Sequence, residues 1–352
     1  MNQVNEDFKG LNHFTSSFRI VACTYEGFLY GIDTTLFFKE DMKINVHFNL
    51  IWMFESNNGS IHSIAVGGKY LVCGGIDEVI KLYDLKKRKD LGSLYHHSGT
   101  ITDLAFSSKT SPKFLISVSE DGTMAIFRTR DWLPFITIKT HHGRVNSISI
   151  HPSGKAALTV GSDRNIRLWN MVTGKRAGKY SLNGSEPFCI QWNTLGDHYA
   201  VLLSKEVMVY DMSATLVYRF SSSVQFNSIH YTISEKSHDE VLVLGTQNGY
   251  LQIHDFSNGR LLESFVAHEN RIKAITSCIC RPINSSSSFL VLVTASSNGL
   301  IKLWLEFQKF SFLEIGKYNC GESRITCIDV VNSFFESLKE KTEIVEWKNS
   351  DL

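Results

Sequence analysis

The 352-residue chain is 43% hydrophobic and 20% charged, with 36 Lys and Arg against 35 Asp and Glu, a formal net charge of +1. So neutral a chain has no global field to draw it to nucleic acid or membrane, and an electrostatic partner has to be met by a local patch. The seven cysteines are an odd count, no apolar run approaches the roughly 18 residues of a membrane span, and no basic-then-apolar leader opens the sequence. Reduced thiols in the cytoplasm or nucleus are therefore expected.

In chain order, residues 1–17 lack a strand pattern and are expected to form a flexible N-terminal segment. FRIVACTYEGFLYGID at 18–33 reads as two strands joined by a turn, followed by an insertion over 34–49. Ile61, Ile64 and Val66 start a second unit that continues through YLVCGGIDEVIKLYD. Ile101, Leu104 and Phe106 start a third that continues through FLISVSEDGTMAIF. The fourth, residues 141–170, is the clearest. Val145, Ile148 and Ile150 begin a strand, HPSG turns it, Ala156 to Gly161 form a second strand, SDRN turns again, and Ile166 to Trp169 form a third. The fifth starts at Ile190 and Trp192 but lacks the aspartate turn in HYAVLLSKEVMVYD. The sixth reads VLVLGTQNGYLQIHD and the seventh VLVTASSNGLIKLW, after a flexible loop over 281–288. Alternating β-branched and aromatic residues argue for strand throughout. RITCIDV at 324–330 matches a first strand with no unit after it, so it is expected to complete the first unit and close a ring. Residues 332–352 form a C-terminal tail with periodic apolar residues, open to a short helix or a frayed end.

Aligned on Trp169, the units place Ile32, Tyr83, Phe127, Tyr210, His254 and Trp304 at the same position, at intervals of 41 to 51 residues. This period resembles that of WD repeats, about 40–45 residues per four-stranded propeller blade. The expected fold is all-β: a seven-bladed WD40 β-propeller over 18–331, with its C-terminal strand completing blade one. In WD repeats a His, a Ser or Thr, an Asp and a Trp form an internal hydrogen-bonded tetrad. His141, Thr159, Asp163 and Trp169 fill those places in blade four, His97, Ser117 and Asp121 in blade three, and His268, Thr294 and Trp304 in blade seven, where Asn298 replaces the aspartate. A His, a hydroxyl and an Asp also suggest a catalytic triad, but a triad is needed once and these sets recur. They are read as structural, and no catalytic residue, cofactor or metal site is expected. The histidine pairs His96–His97 and His141–His142 lack the further ligands a zinc site needs, and Cys278 and Cys280 share one face of a strand, where they pack as small apolar groups.

Loops joining strands one to two and three to four share a face. That face collects Lys86, Lys87, Arg88 and Lys89, then Lys109, Lys113, Arg128 and Arg130, then Lys155, Lys175, Arg176 and Lys179, whereas the opposite face of these blades holds Asp77, Glu78, Glu120 and Asp121. This basic rim reads either as solubilising charge at hairpin tips or as a site for RNA phosphates or an acidic protein segment.

ACTYEGFLYG at 22–31, HHSGTIT at 96–102, SIHPSGKAALTVGSD at 149–163, AHENRIK at 267–273, TASSNGLIKLW at 294–304 and RITCIDV carry a more specific resemblance. The chain is similar to the p21-activated-kinase-interacting protein family, which includes the maintenance-of-killer factor of fungi. The resemblance implies a non-enzymatic scaffold in assembly of the large ribosomal subunit. Its implied partners are pre-ribosomal assembly factors, ribosomal proteins and rRNA, met as a monomer within a larger complex, in the nucleolus and nucleus with room for a cytoplasmic pool. The alternative it implies is a negative regulator that binds the N-terminal region of p21-activated kinases.

Overall fold

The computed structural model describes residues 14–38, 44–281 and 288–331. All regular structure among them is β, in seven antiparallel four-stranded sheets. Blade one joins β1 (Phe14–Thr24), β2 (Phe28–Phe38) and β3 (Ile44–Glu55) to the last strand of the chain. Blade two is β4 (Ile61–Gly67), β5 (Tyr70–Gly75), β6 (Val79–Asp84) and β7 (Lys89–Tyr95). Blade three is β8 (Ile101–Phe106), β9 (Phe114–Ser119), β10 (Thr123–Arg128) and β11 (Pro134–Lys139). Blade four is β12 (Val145–Ile150), β13 (Ala156–Gly161), β14 (Asn165–Asn170) and β15 (Lys175–Ser181). Blade five comprises β16 (Cys189–Trp192), β17 (His198–Leu202), β18 (Glu206–Asp211) and β19 (Leu216–Ser221). Blade six comprises β20 (Phe226–Ile233), β21 (Glu240–Thr246), β22 (Tyr250–Asp255) and β23 (Leu261–Val266). Blade seven comprises β24 (Ile272–Cys280), β25 (Phe289–Ser296), β26 (Leu300–Gln308) and β27 (Ser311–Asn319), and β28 (Ile325–Val331) returns to blade one.

The closing strand lies where the sequence puts it. β28 pairs antiparallel with β1, from Arg19↔Val331 to Thr24↔Ile325, so strands from both ends of the ring share one sheet. The innermost strands then touch in an unbroken circle, β28 to β4, β8, β12, β16, β20, β24 and back to β28. Each apolar cluster is a seam between neighbouring blades, such as Val21, Cys23 and Leu29 against Ile61 and Leu71, or Ile116 and Val118 against Val145 and Trp169. Middle strands are buried on both faces, while outer strands such as β11 alternate exposed and half-buried residues, which is why only the latter show strict two-residue periodicity.

The insertion of blade one is a lengthened hairpin. β2 and β3 run 11 and 12 residues, against six for β14, and pair as far as Phe38↔Ile44. The added length covers the outer strand of blade seven: the Phe48 ring packs 5.6 Å from that of Tyr318. β1 begins at Phe14, ahead of the boundary expected at residue 18. Residues 1–13, most of the 281–288 loop and the 332–352 tail lie outside the described residues, and so do the flexible segment, mobile loop and helix expected there.

Each blade carries the same irregularity at the position used for alignment. The pairing of strand three with strand four shifts at Ile32, Tyr83, Phe127, Trp169, Tyr210, His254 and Trp304, seven bulges at seven aligned residues. The worn repeats therefore keep the backbone of the clear one.

Candidate functional site

In blade four, Trp169 Nε1 donates to Thr159 Oγ1 at 2.9 Å, Thr159 Oγ1 meets His141 Nε2 at 2.9 Å, and His141 Nδ1 meets Asp163 Oδ1 at 2.8 Å. An indole can only donate and a carboxylate can only accept, so the direction of every bond follows: the threonine hydroxyl donates to Nε2 and the neutral imidazole donates from Nδ1. His141, Thr159 and Trp169 are buried, so each bond replaces water that cannot return. Burial holds the His141 pKa below its usual value although Asp163 pulls it upward. The His141 amide also donates to Gly122 O of blade three, so the tetrad ties two blades together. Gly122 adopts φ +79°, and a Cβ there would lie 2.6 Å from Gly143 O.

Blade three keeps His97 bonded to Ser117 at 2.7 Å and Asp121 at 3.0 Å, with Phe127 in the tryptophan's place. Burial would raise the Asp121 pKa, but hydrogen bonds from Thr123 and Ser98 and the nearby His97 hold it at about 2. Blade seven bonds His268 to Thr294 at 2.8 Å and Trp304 to Thr294 at 2.9 Å, while His268 Nδ1 has no partner among the described residues. Burial, with Lys302 adding to it, lowers the His268 pKa to about 4.

The sequence reading missed a fourth network. In blade two, Asn57 donates to both oxygens of Asp77 at 3.0 Å, and Ser56 Oγ contacts Asn57 Oδ1 and the Tyr83 hydroxyl at 2.9 Å and Cys73 Sγ at 3.1 Å. Cys73, Asp77 and Tyr83 have the same spacing as Thr159, Asp163 and Trp169, so the signal was present, with the aspartate kept and the threonine and tryptophan places exchanged for cysteine and tyrosine. Cys278 and Cys280 lie buried in the seam between blades seven and one.

A second bulge recurs where strand one pairs with strand two in six of the seven blades, blade five being the exception. His62, Thr102, Asn146, Asn227, Lys273 and Thr326, each the second residue of its innermost strand, are skipped in the pairing. A bulge re-aims its side chain, and five of these six line one recess of about 670 Å³. Its lining draws on blades one, two, three, four, five and seven, and the residues just before β12, β16, β24 and β28 supply Arg144, Phe188, Arg271 and Arg324. Arg144 is paired with Glu186 at 2.9 Å and Arg324 with Glu26 at 3.0 Å, the latter stacked 4.1 Å over the Tyr25 ring.

This recess is on the face expected to be acidic. Asp77 and Asp121 do lie there, engaged in the networks above, Glu78 and Glu120 are exposed, and the axial mouth sets arginine and lysine beside Glu120. On the other face, Lys86, Lys87, Lys89, Lys109, Lys113, Lys155, Lys175, Arg176 and Lys179 are exposed and Arg88 is half-buried, and none of these makes an ion pair among the described residues. Arg128 and Arg130 differ: both lie 3.2 Å from Asp131, which neutralises part of their charge.

Seven four-stranded blades around an axis, tied by recurrent buried donor chains, define a WD-repeat β-propeller, a fold of scaffold type. The family described as WD domain, G-beta repeat matches residues 88–128, 132–170 and 259–304. The chain belongs to the p21-activated-kinase-interacting protein family. It is 33% identical over 280 residues to p21-activated protein kinase-interacting protein 1-like of Danio rerio, covering 78% of this chain and 72% of that one. It is 30% identical over 365 residues to Protein MAK11 of Saccharomyces cerevisiae, covering 91% and 84%, and 29% identical over 317 residues to Shk1 kinase-binding protein 15 of Schizosaccharomyces pombe, covering 88% and 83%. Among the described residues no helix is long and apolar enough to cross a membrane, and no cluster of His, Cys, Asp and Glu is placed to hold a metal ion.

Proposed function

We propose that this protein is a non-enzymatic scaffold in assembly of the large ribosomal subunit, holding pre-ribosomal proteins and rRNA in the nucleolus and nucleus. The observation that carries the reading is the unpaired, exposed charge of Lys86, Lys87, Lys89, Lys175 and Arg176 on one rim of a nearly neutral chain. Such side chains gain most from phosphates, because each contact releases condensed counterions. The relationship to Protein MAK11, over most of both chains, supports the same reading. The four histidine- or asparagine-centred networks are structural in it: they hold the loops that bind.

The test reverses Lys86, Lys87, Arg88 and Lys89 to glutamate and follows co-sedimentation with pre-ribosomal particles. Several-fold weaker association with a shallower salt dependence is expected, because fewer counterions are released, and unchanged co-sedimentation removes this rim from the interface. A second reading, restraint of a p21-activated kinase through its N-terminal regulatory region, is favoured by the relatives named for binding such kinases. A direct pull-down with kinase regulatory segments separates the two.

A further inference from the structure

We propose that the axial recess on the face opposite the basic rim is a docking site for an acidic peptide segment, whose carboxylate is received by Arg271, Lys273 and Ser60. The proposal rests on the reading of the chain as a binding scaffold, but not on which assembly it serves.

Arg271 and Lys273 flank the first residue of β24, and neither has an ion-pair partner among the described residues. The bulge at Lys273 turns its side chain to the recess, where burial and then the charge of Arg271 lower its pKa. Lys273 is half-buried and Arg271 exposed beside it, and neither has a counterion among the described residues, so the two charges repel and an arriving anion relieves that repulsion. Ser60 supplies an independent sign. Its residue is only 6% exposed, it lines the same recess, and its hydroxyl has no hydrogen-bond partner among the described residues. Thr102 and Thr326, by contrast, already donate to Val145 O and Cys23 O. The innermost strands of blades seven, one and two are neighbours, so Lys273, Arg324 and Ser60 lie along one arc of the mouth.

The shape favours a peptide over RNA. A recess of about 670 Å³ falls in the ordinary range for sites that enclose a small group. Single-stranded RNA is held by a succession of open aromatic faces on which bases stack, whereas the lining among the described residues offers two Phe or Tyr rings, Phe188 and Tyr25, and Arg324 takes one face of the latter. Glu120, also in the lining, makes the mouth bipolar and disfavours a uniform run of phosphates, while a peptide can turn a donor toward it.

The experiment uses the full chain and a fluorescein-labelled, glutamate-rich dodecapeptide followed by anisotropy, with the all-glutamine counterpart and a dodecamer of uridylate as comparisons. Saturable binding of the glutamate peptide and none of the glutamine peptide is expected. Arg271→Gln and Lys273→Gln should each weaken binding tenfold or more, while the reversed rim variant stays within twofold. Arg271 is exposed and without a side-chain partner among the described residues, so its variant carries the test even if Lys273→Gln unfolds. Binding within twofold of native in Arg271→Gln, no saturable binding by the native chain, or uridylate displacing the peptide at equal or lower concentration overturns the proposal. A chain that co-sediments with pre-ribosomal particles yet ignores the peptide overturns the axial site alone and leaves the scaffold reading standing.

Discussion

Blade four and blade seven contain the same donor chain up to its last link. Trp169, Thr159 and His141 are joined by bonds of 2.9 and 2.9 Å, and Trp304, Thr294 and His268 by bonds of 2.9 and 2.8 Å. In blade four the chain ends on Asp163, which also accepts from Arg167 at 2.7 Å and from the amides of His142 and Asn165. In blade seven Asn298 spends its oxygen on the Leu300 amide at 3.3 Å, Lys302 turns to Glu314 instead, and a recess of about 410 Å³ is lined by Asn298 and Lys302. The Trp, Thr and His thus find each other through strand register alone. The aspartate does separate work, gathering a turn, a cation and an imidazole onto one carboxylate.

Asp163→Ala should show the largest effect, because it leaves the buried His141 and Arg167 without their acceptor. A loss of about 3 kcal/mol is expected from thermal or denaturant unfolding, and a loss below about 1 would mean that blade four does not depend on its carboxylate. Thr159→Val and Thr294→Val should cost about 2 kcal/mol each, and by similar amounts, since each strands one indole N–H and one ring nitrogen. Unequal costs would break the equivalence of the two chains.

Acid should separate the blades next. His268 keeps a pKa of about 4 when folded, against about 6.5 in an unfolded chain. The unfolded state therefore takes up the proton first, and stability present above pH 6.5 is lost as pH falls toward 4, by roughly 1–3 kcal/mol. His268→Gln should flatten that part of the pH–stability curve, and a curve of unchanged slope would refute the assignment. The smallest effect is a gain: Asn298→Asp should stabilise by about 1 kcal/mol and raise the His268 pKa by restoring the acceptor. If the titration of His268 does not move, the donor chain does not extend to residue 298.

Ring, blade number and closing strand were legible because the repeat period survives chemical wear: Ile32 and His254 occupy the tryptophan place with the same bulge as Trp169. The tetrads of blades three, four and seven were legible because their polar types are unusual at buried positions. Blade two was missed because asparagine, cysteine and tyrosine there look like an ordinary turn and core. The axial recess was invisible for another reason. Its members are scattered over six blades, most of them at or just before the start of an innermost strand, and no local window of sequence shows a cluster. Its signal was periodic: an arginine directly before β12, β24 and β28.

The shared sheet of blade one also sets an order of events in biosynthesis. Thr326 donates to the carbonyl of Cys23, 303 positions earlier, so the first and last strands of the ring become partners only when β28 leaves the ribosome. Until then β1 has an open edge and the seam beside it is uncovered, the condition in which a strand pairs with another chain instead of its own. Contacts between positions so distant also slow folding, because a long loop must close before they contribute. The nascent protein is therefore most exposed to misassembly in the interval before β28 emerges, and any factor that shields the edge of β1 would act then.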